Sequence, residues 1–84
     1  MTESLTLAEI AAREVRMTLA GQRRSVLSLA TDLGVSDMYL SRRLNGHIPF
    51  DLADLERVAV ALGVPVLKLL APELVASGGL SVPA

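Results

Sequence analysis

Arg42 and Arg43 stand side by side in the stretch DLGVSDMYLSRRLNG, residues 32–46. A guanidinium is a planar fork of donors, suited to paired acceptors on a carboxylate, a phosphate or a base edge. Neighbouring residues on a helix point about 100° apart, so the two arginines serve different faces. Asp37, Met38, Ser41 and Asn45 lie close by and add an acceptor, an apolar tip and two groups that both donate and accept. These residue types suit recognition by hydrogen bonding better than bond-making chemistry.

No arrangement in the chain points to catalysis. No nucleophile has a base at motif spacing, and there is no Gly-rich phosphate loop and no HExxH. His47 is the lone histidine and cysteine is absent, so no metal site, cofactor site or disulfide is expected. The 84 residues suit one domain. Half are hydrophobic, and Tyr39 and Phe50 are the only aromatic residues. A helical domain with an aliphatic core follows. The opening MTESLTLAEI lacks a basic region followed by an apolar run, so no signal peptide is expected. No apolar run approaches the roughly 18 residues of a membrane span. A soluble, cytoplasmic protein without membrane or small-molecule partners is the expectation.

The net charge is −1, which argues against a general polyanion binder. Its distribution says more. Residues 13–47 carry Arg13, Arg16, Arg23, Arg24, Arg42 and Arg43 against Glu14, Asp32 and Asp37. The flanks are acidic. A focused basic region is the footprint of a nucleic-acid surface.

The elements that must hold these residues follow from caps and periodicity. Thr6 with Glu9 forms a capping box, and Leu7, Ala11, Val15 and Leu19 recur at helical spacing before Gly21, the expected stop. Ser25 caps a short second helix that ends at Gly34. Ser36 caps a third, with Asp37 in its first turn, running to about Asn45. Pro49 keeps HIPF in a loop. Asp51 caps a fourth helix with Leu52, Leu55, Val58, Ala59 and Leu62 inward, stopped at Gly63. Pro65 opens a fifth, which Pro72 ends or kinks.

Two short helices joined through Gly34 fit any helical hairpin, and the residue spacing narrows the choice. Counting Val26 as first, Ala30 is fifth, Gly34 ninth, Val35 tenth and Leu40 fifteenth. Ala30 allows close approach, Gly34 permits positive φ in the turn, and Val35 and Leu40 plug the angle. Residues 25–70 resemble the Cro/phage-repressor-type helix-turn-helix domains, the XRE family. LATDLGVSDMYLSRRLNG followed by PFDLADLERVAVALGVPVLKLL carries the resemblance. It implies an all-α, compact, five-helix lambda-repressor-like fold over residues 1–73, with 74–84 as a flexible or dimer-associated tail. It also implies a DNA-binding homodimer with its third helix in the major groove. Two positions depart from the pattern. Val26 stands where the family often has a glutamine that meets the DNA backbone, and Arg43 where it usually has an aliphatic residue.

With Leu40 set toward the core, Leu44 follows it inward, as His47 would if the helix reached that far. Ser41, Asn45, Met38 and Arg42 face out, flanked by Asp37, Tyr39 and Arg43. In a major groove Arg42 is matched to guanine O6 and N7, Asp37 to a cytosine amino group, Ser41 to either kind of edge and Met38 to a thymine methyl. Arg16, Arg23, Arg24, Ser36, Tyr39, Asn45 and His47 are candidates for the phosphate backbone. Leu44 supplies the plug displaced by Arg43. Arg43 is expected to lay its stem over the core edge and send its head to solvent or phosphate, in preference to a buried ion pair with its desolvation cost.

Leu67 and Leu70 are expected to close the core, and Leu74, Val75 and Leu80 to form the dimer interface. The function expected is a sequence-specific transcriptional regulator that occupies an operator and excludes polymerase. The alternative is an antitoxin-like or adaptor module, with the same fold as scaffold and the apolar C-terminus bound to another protein.

Overall fold

Side-chain caps open four of the helices in the computed structural model, which describes residues 5–76. Thr6 and Glu9 exchange both bonds of the capping box, at 2.8 and 3.1 Å. Ser25 accepts from the Ser28 amide, Ser36 from the Tyr39 amide and Asp51 from the Asp54 amide. Each such cap is worth about 1 kcal/mol. The helices among the described residues are α1 (Leu7–Gly21), α2 (Val26–Leu33), α3 (Asp37–Leu44), α4 (Leu52–Leu62), α5 (Val66–Leu70) and α6 (Pro72–Ala76). The fold is all-α.

One core joins the first five. Ala11, Val15, Leu29, Ala30, Leu40, Leu44, Leu55, Val58 and Leu69 are buried, with Phe50 at the loop end. Helix α1 packs on α3, α4 and α5, and α2 on α3 and α4. Ala30 is fully buried, which allows the close approach of α2 and α3. Gly34 sits at φ 73°, where the chain turns between them.

Several expectations are corrected. Leu7 and Leu52 are 64% and 66% exposed. Each is the first residue of its helix, ahead of the turn that meets the core. Leu69, rather than Leu67, closes the core beneath α5: Leu67 is exposed, while Leu70, half-buried, packs against the core as expected. The expected fifth helix is two. Pro72 lacks an amide hydrogen and drives the preceding residue out of helical geometry; Ala71 takes φ −144° and ψ 66°, and α6 starts afresh. Leu74 is exposed and Val75 half-buried on α6. Leu80 lies outside the described residues.

Gly21 does not stop α1. It is the last helical residue and not the one past the cap: Gln22 is the C-cap, and Arg23 takes the left-handed conformation at φ 56°. The Arg24 amide bonds the Leu19 carbonyl and the Arg23 amide the Ala20 carbonyl. This is the Schellman arrangement, with Arg23 in the place glycine usually fills.

A polar clamp joins α3 to α4 and overturns the expected setting of Arg43. Its guanidinium turns inward: Nε lies 3.3 Å from Asp54 Oδ2, and Nη1 donates to the Tyr39 carbonyl at 3.0 Å. The same group stacks on the Tyr39 ring, 3.6 Å from its centroid, and the Tyr39 hydroxyl donates to both Asp54 oxygens at 3.1 Å. Only 15% of the Arg43 side chain and 10% of the Asp54 side chain are exposed. The desolvation cost is offset in three ways. Asp54 stands in the first turn of α4, where the helix dipole favours negative charge. Tyr39 supplies a further donor, and the ring face adds a cation–π contact. Arg57 also approaches Asp54, at 3.9 Å. Burial, then the hydrogen bond that the hydroxyl donates to Asp54, pushes the Tyr39 phenol above its ordinary value.

Two stability measurements test these features. At Gly34 a Cβ would meet nothing within 4 Å, so Gly34→Ala is expected to lose about 1–2 kcal/mol from backbone strain alone. Arg23→Gly should gain about 1 kcal/mol for the same reason. In urea, the midpoint should fall for the first and rise for the second, with unchanged slope. Separately, a raised phenol pKa means that the unfolded chain loses its Tyr39 proton first. That contribution is whole below about pH 10 and declines as pH rises toward the folded-state value. Tyr39→Phe should therefore show a flatter loss of stability above pH 10 than the parent chain.

Candidate nucleic-acid interface

Helix α3 is too short to persist alone, so its outward face is set by what grips it. Leu40 and Leu44 anchor it in the core, each 1% exposed. The Asp54 clamp holds one flank. At its C-terminus Arg16 of α1 donates to the Leu44 carbonyl, satisfying an orphan acceptor at the negative end of the dipole. Asn45 caps the helix and Gly46 turns the chain away at φ 83°. His47 is therefore exposed rather than directed to the core.

The face that results carries Met38, 63% exposed, and Arg42, also exposed. Among the described residues the Arg42 guanidinium has no hydrogen-bond or ion-pair partner. Ser41 donates to Asp37 at 3.2 Å on the adjoining flank, leaving acceptor capacity on the carboxylate. A shallow groove runs beside this face, lined by Ser36, Met38, Tyr39, Arg42, Arg43 and Ile48. An unpaired guanidinium beside an apolar tip and a mixed donor–acceptor edge can address a surface of alternating acceptors and methyl groups.

The remaining arginines of the basic region divide. Arg23 is exposed ahead of α2. Arg24 is turned inward, with Nη1 3.1 Å from the Ala61 carbonyl and the rest of its fork on Ser28 and Asp32. Arg13 lies 3.6 Å from Glu14. Ser36 and Tyr39 have their oxygens engaged in the α3 cap and in the clamp.

The sequence reading missed the residues that tie α4 to α2 and to the end of α1. Arg57 donates to the Leu33 carbonyl and Gln22 to the Leu62 carbonyl. It also missed Asp54, whose sequence signal was only that of an acid in a helix first turn. The Asp54–Arg57 pair is a short-range arrangement, three residues apart, but the hydrogen-bond partners that tie the elements together lie 11–40 residues away and give no local signal. Among the described residues no group of side chains could hold a metal ion, and no helix is long and apolar enough to cross a membrane.

The fold is similar to two solved structures. One is the clp gene regulator ClgR from C. glutamicum: 26% identity, 95% of this chain and 100% of the other covered, TM-score 0.75. The other is a hypothetical transcription factor, NHTF, from Neisseria: 24% identity, 92% of this chain and 95% of the other covered, TM-score 0.76. The first is named a gene regulator and the second a hypothetical transcription factor. A search of the curated proteins finds no significant match. Residues 2–81 match the BetR domain, and over nearly its whole length the chain belongs to the BetR domain family.

Proposed function

We propose that this chain is a sequence-specific DNA-binding transcriptional regulator of the Cro/phage-repressor (XRE) kind, acting as a repressor with α3 in the major groove of an operator. The observation that carries the reading is Arg42: an exposed, unpaired guanidinium on the outward face of a helix fixed on its other sides. The likeness to ClgR, a gene regulator, supports it, and so does the shared helical fold of NHTF. In this reading Arg42 takes guanine O6 and N7 together, Met38 meets a thymine methyl, and Asp37 and Ser41 bond neighbouring base edges. Arg23, Asn45 and His47, all exposed, contact phosphates. Ser36 and Tyr39 flank the entry of α3 into the groove, and Arg16, Arg24 and Arg43 hold the elements in place through their internal partners.

Eight residues of helix reach few base pairs. A homodimer doubles the reach over half-sites about one turn of DNA apart, and Leu74 and Val75 on α6 are the proposed contact. Repression follows from occupying the operator and excluding polymerase.

Selection of bound sites from random duplex DNA tests the reading. The expected product is a short palindrome, and Arg42→Ala should relax one guanine position at a cost of about 1–3 kcal/mol. Absence of enrichment at low salt overturns it. Arg23→Ala should weaken binding to all sequences alike and reduce the salt slope by about one contact. Light scattering of the intact chain against one cut after Pro72 addresses the dimer: the longer form should carry twice the monomer mass, and equal association states would remove α6 from the interface.

A further inference from the structure

Arg43 lines the same groove as Arg42 and Met38, yet its charge is held away from the outer surface by a carboxylate on another helix. We propose that Asp54 is a specificity-determining residue of the interface: it withholds the Arg43 guanidinium from the phosphate backbone and fixes the Tyr39–Arg43 edge of α3, leaving Arg42 as the free cation of that helix. The inference rests on the DNA-reading function proposed above.

Phosphate contacts strengthen binding to every duplex alike, whereas base contacts distinguish one from another. Two adjacent free arginines on α3 would place a sequence-blind charge beside the sequence-reading one. Asp54 prevents this through geometry. Its two oxygens receive the Tyr39 hydroxyl, and Oδ2 also receives Arg43 Nε. The ring of Tyr39 then forms a floor under the guanidinium, and Nη1 is spent on the Tyr39 carbonyl. The guanidinium is thus held on three sides by groups that orient one another. Arg57, the other cation at Asp54, donates to the Leu33 carbonyl and lines a separate groove between α2 and α4. Release of Asp54 therefore frees Arg43 at the α3 groove and leaves Arg57 elsewhere.

The test is Asp54→Asn in the full chain, a nearly isosteric change that removes the charge and keeps an acceptor for Tyr39. Binding to the selected duplex and to a scrambled one is measured between 50 and 200 mM salt. The variant should bind the scrambled duplex more tightly at low salt. Its slope should steepen by about 0.9, so that its affinity falls about three-fold further than the parent's over that range. The ratio of selected to scrambled affinity should drop, because the phosphate term is common to both duplexes while α3 has lost a fixed edge. An unchanged slope or an unchanged ratio overturns the inference. A second measurement needs no variant. In the parent chain, the Arg42 Nε–H resonance should move on addition of the selected duplex and that of Arg43 should stay; a comparable shift at Arg43 overturns the inference even if Asp54→Asn does not fold. Should the parent chain select no site, the DNA-reading function falls and this inference with it. Should the parent select a site and Asp54→Asn match it in slope and ratio, only the inference falls.

Discussion

The setting of α3 depends on a carboxylate placed on its neighbour. An eight-residue helix with two core anchors can still rotate and slide, since leucines at one turn's separation fix a stripe and not an angle. Asp54 removes that freedom. It binds both polar residues on one flank of α3, Tyr39 and Arg43, and it is fastened in turn by its place in the capped first turn of α4. Arg16 does the corresponding work at the far end by holding the Leu44 carbonyl. Between them, α1 and α4 define which side chains of α3 remain outward.

Local chemistry was legible in the sequence at helix caps and turns, where both partners lie within four residues. The capping box of Thr6 and Glu9, the caps at Ser25, Ser36 and Asp51, and the left-handed turn at Gly34 are all short-range arrangements, and the structure has each of them. Periodicity likewise put Leu40, Leu44 and Val58 inside. It failed at helix starts, for Leu7 and Leu52, because a period assigns a face and says nothing of where along the axis the core begins. Gly21 misled for a related reason. A glycine near a helix end is a possible stop, yet the last turn ends where backbone carbonyls find their partners, and here that brought Arg23 to the left-handed position.

Arg43 failed for a different reason. The cost of burying a charge was weighed for an isolated pair, which favours solvent. The site holds no isolated pair. A hydroxyl, a ring face, a backbone carbonyl and a helix N-terminus converge on two charges, and polar groups satisfied together reinforce one another in a medium of low dielectric. Tyr39 stands one turn before Arg43 on the same helix, so its ring and carbonyl were within reach of a sequence reading; Asp54 and the α4 N-terminus were not, because α4 had no assigned place beside α3 until the fold was known. Arg24 and Arg57 show the same limit. Their carbonyl partners, Ala61 and Leu33, carry no side-chain signal at all.

The basic region now has a smaller and sharper meaning than its count of arginines suggests. Of the six arginines in residues 13–47, Arg13, Arg24 and Arg43 stand beside carboxylates, and Arg16 is committed to a backbone carbonyl. Arg23 and Arg42 are the two whose guanidiniums have no partner among the described residues. A surface that neutralised many phosphates would need its cations outward and mobile, and would bind any duplex. This chain instead spends most of its positive charge on fixing its own helices. Under the DNA-reading function proposed above, that arrangement gives up sequence-blind attraction and leaves recognition on α3 to one fork of donors at a fixed angle.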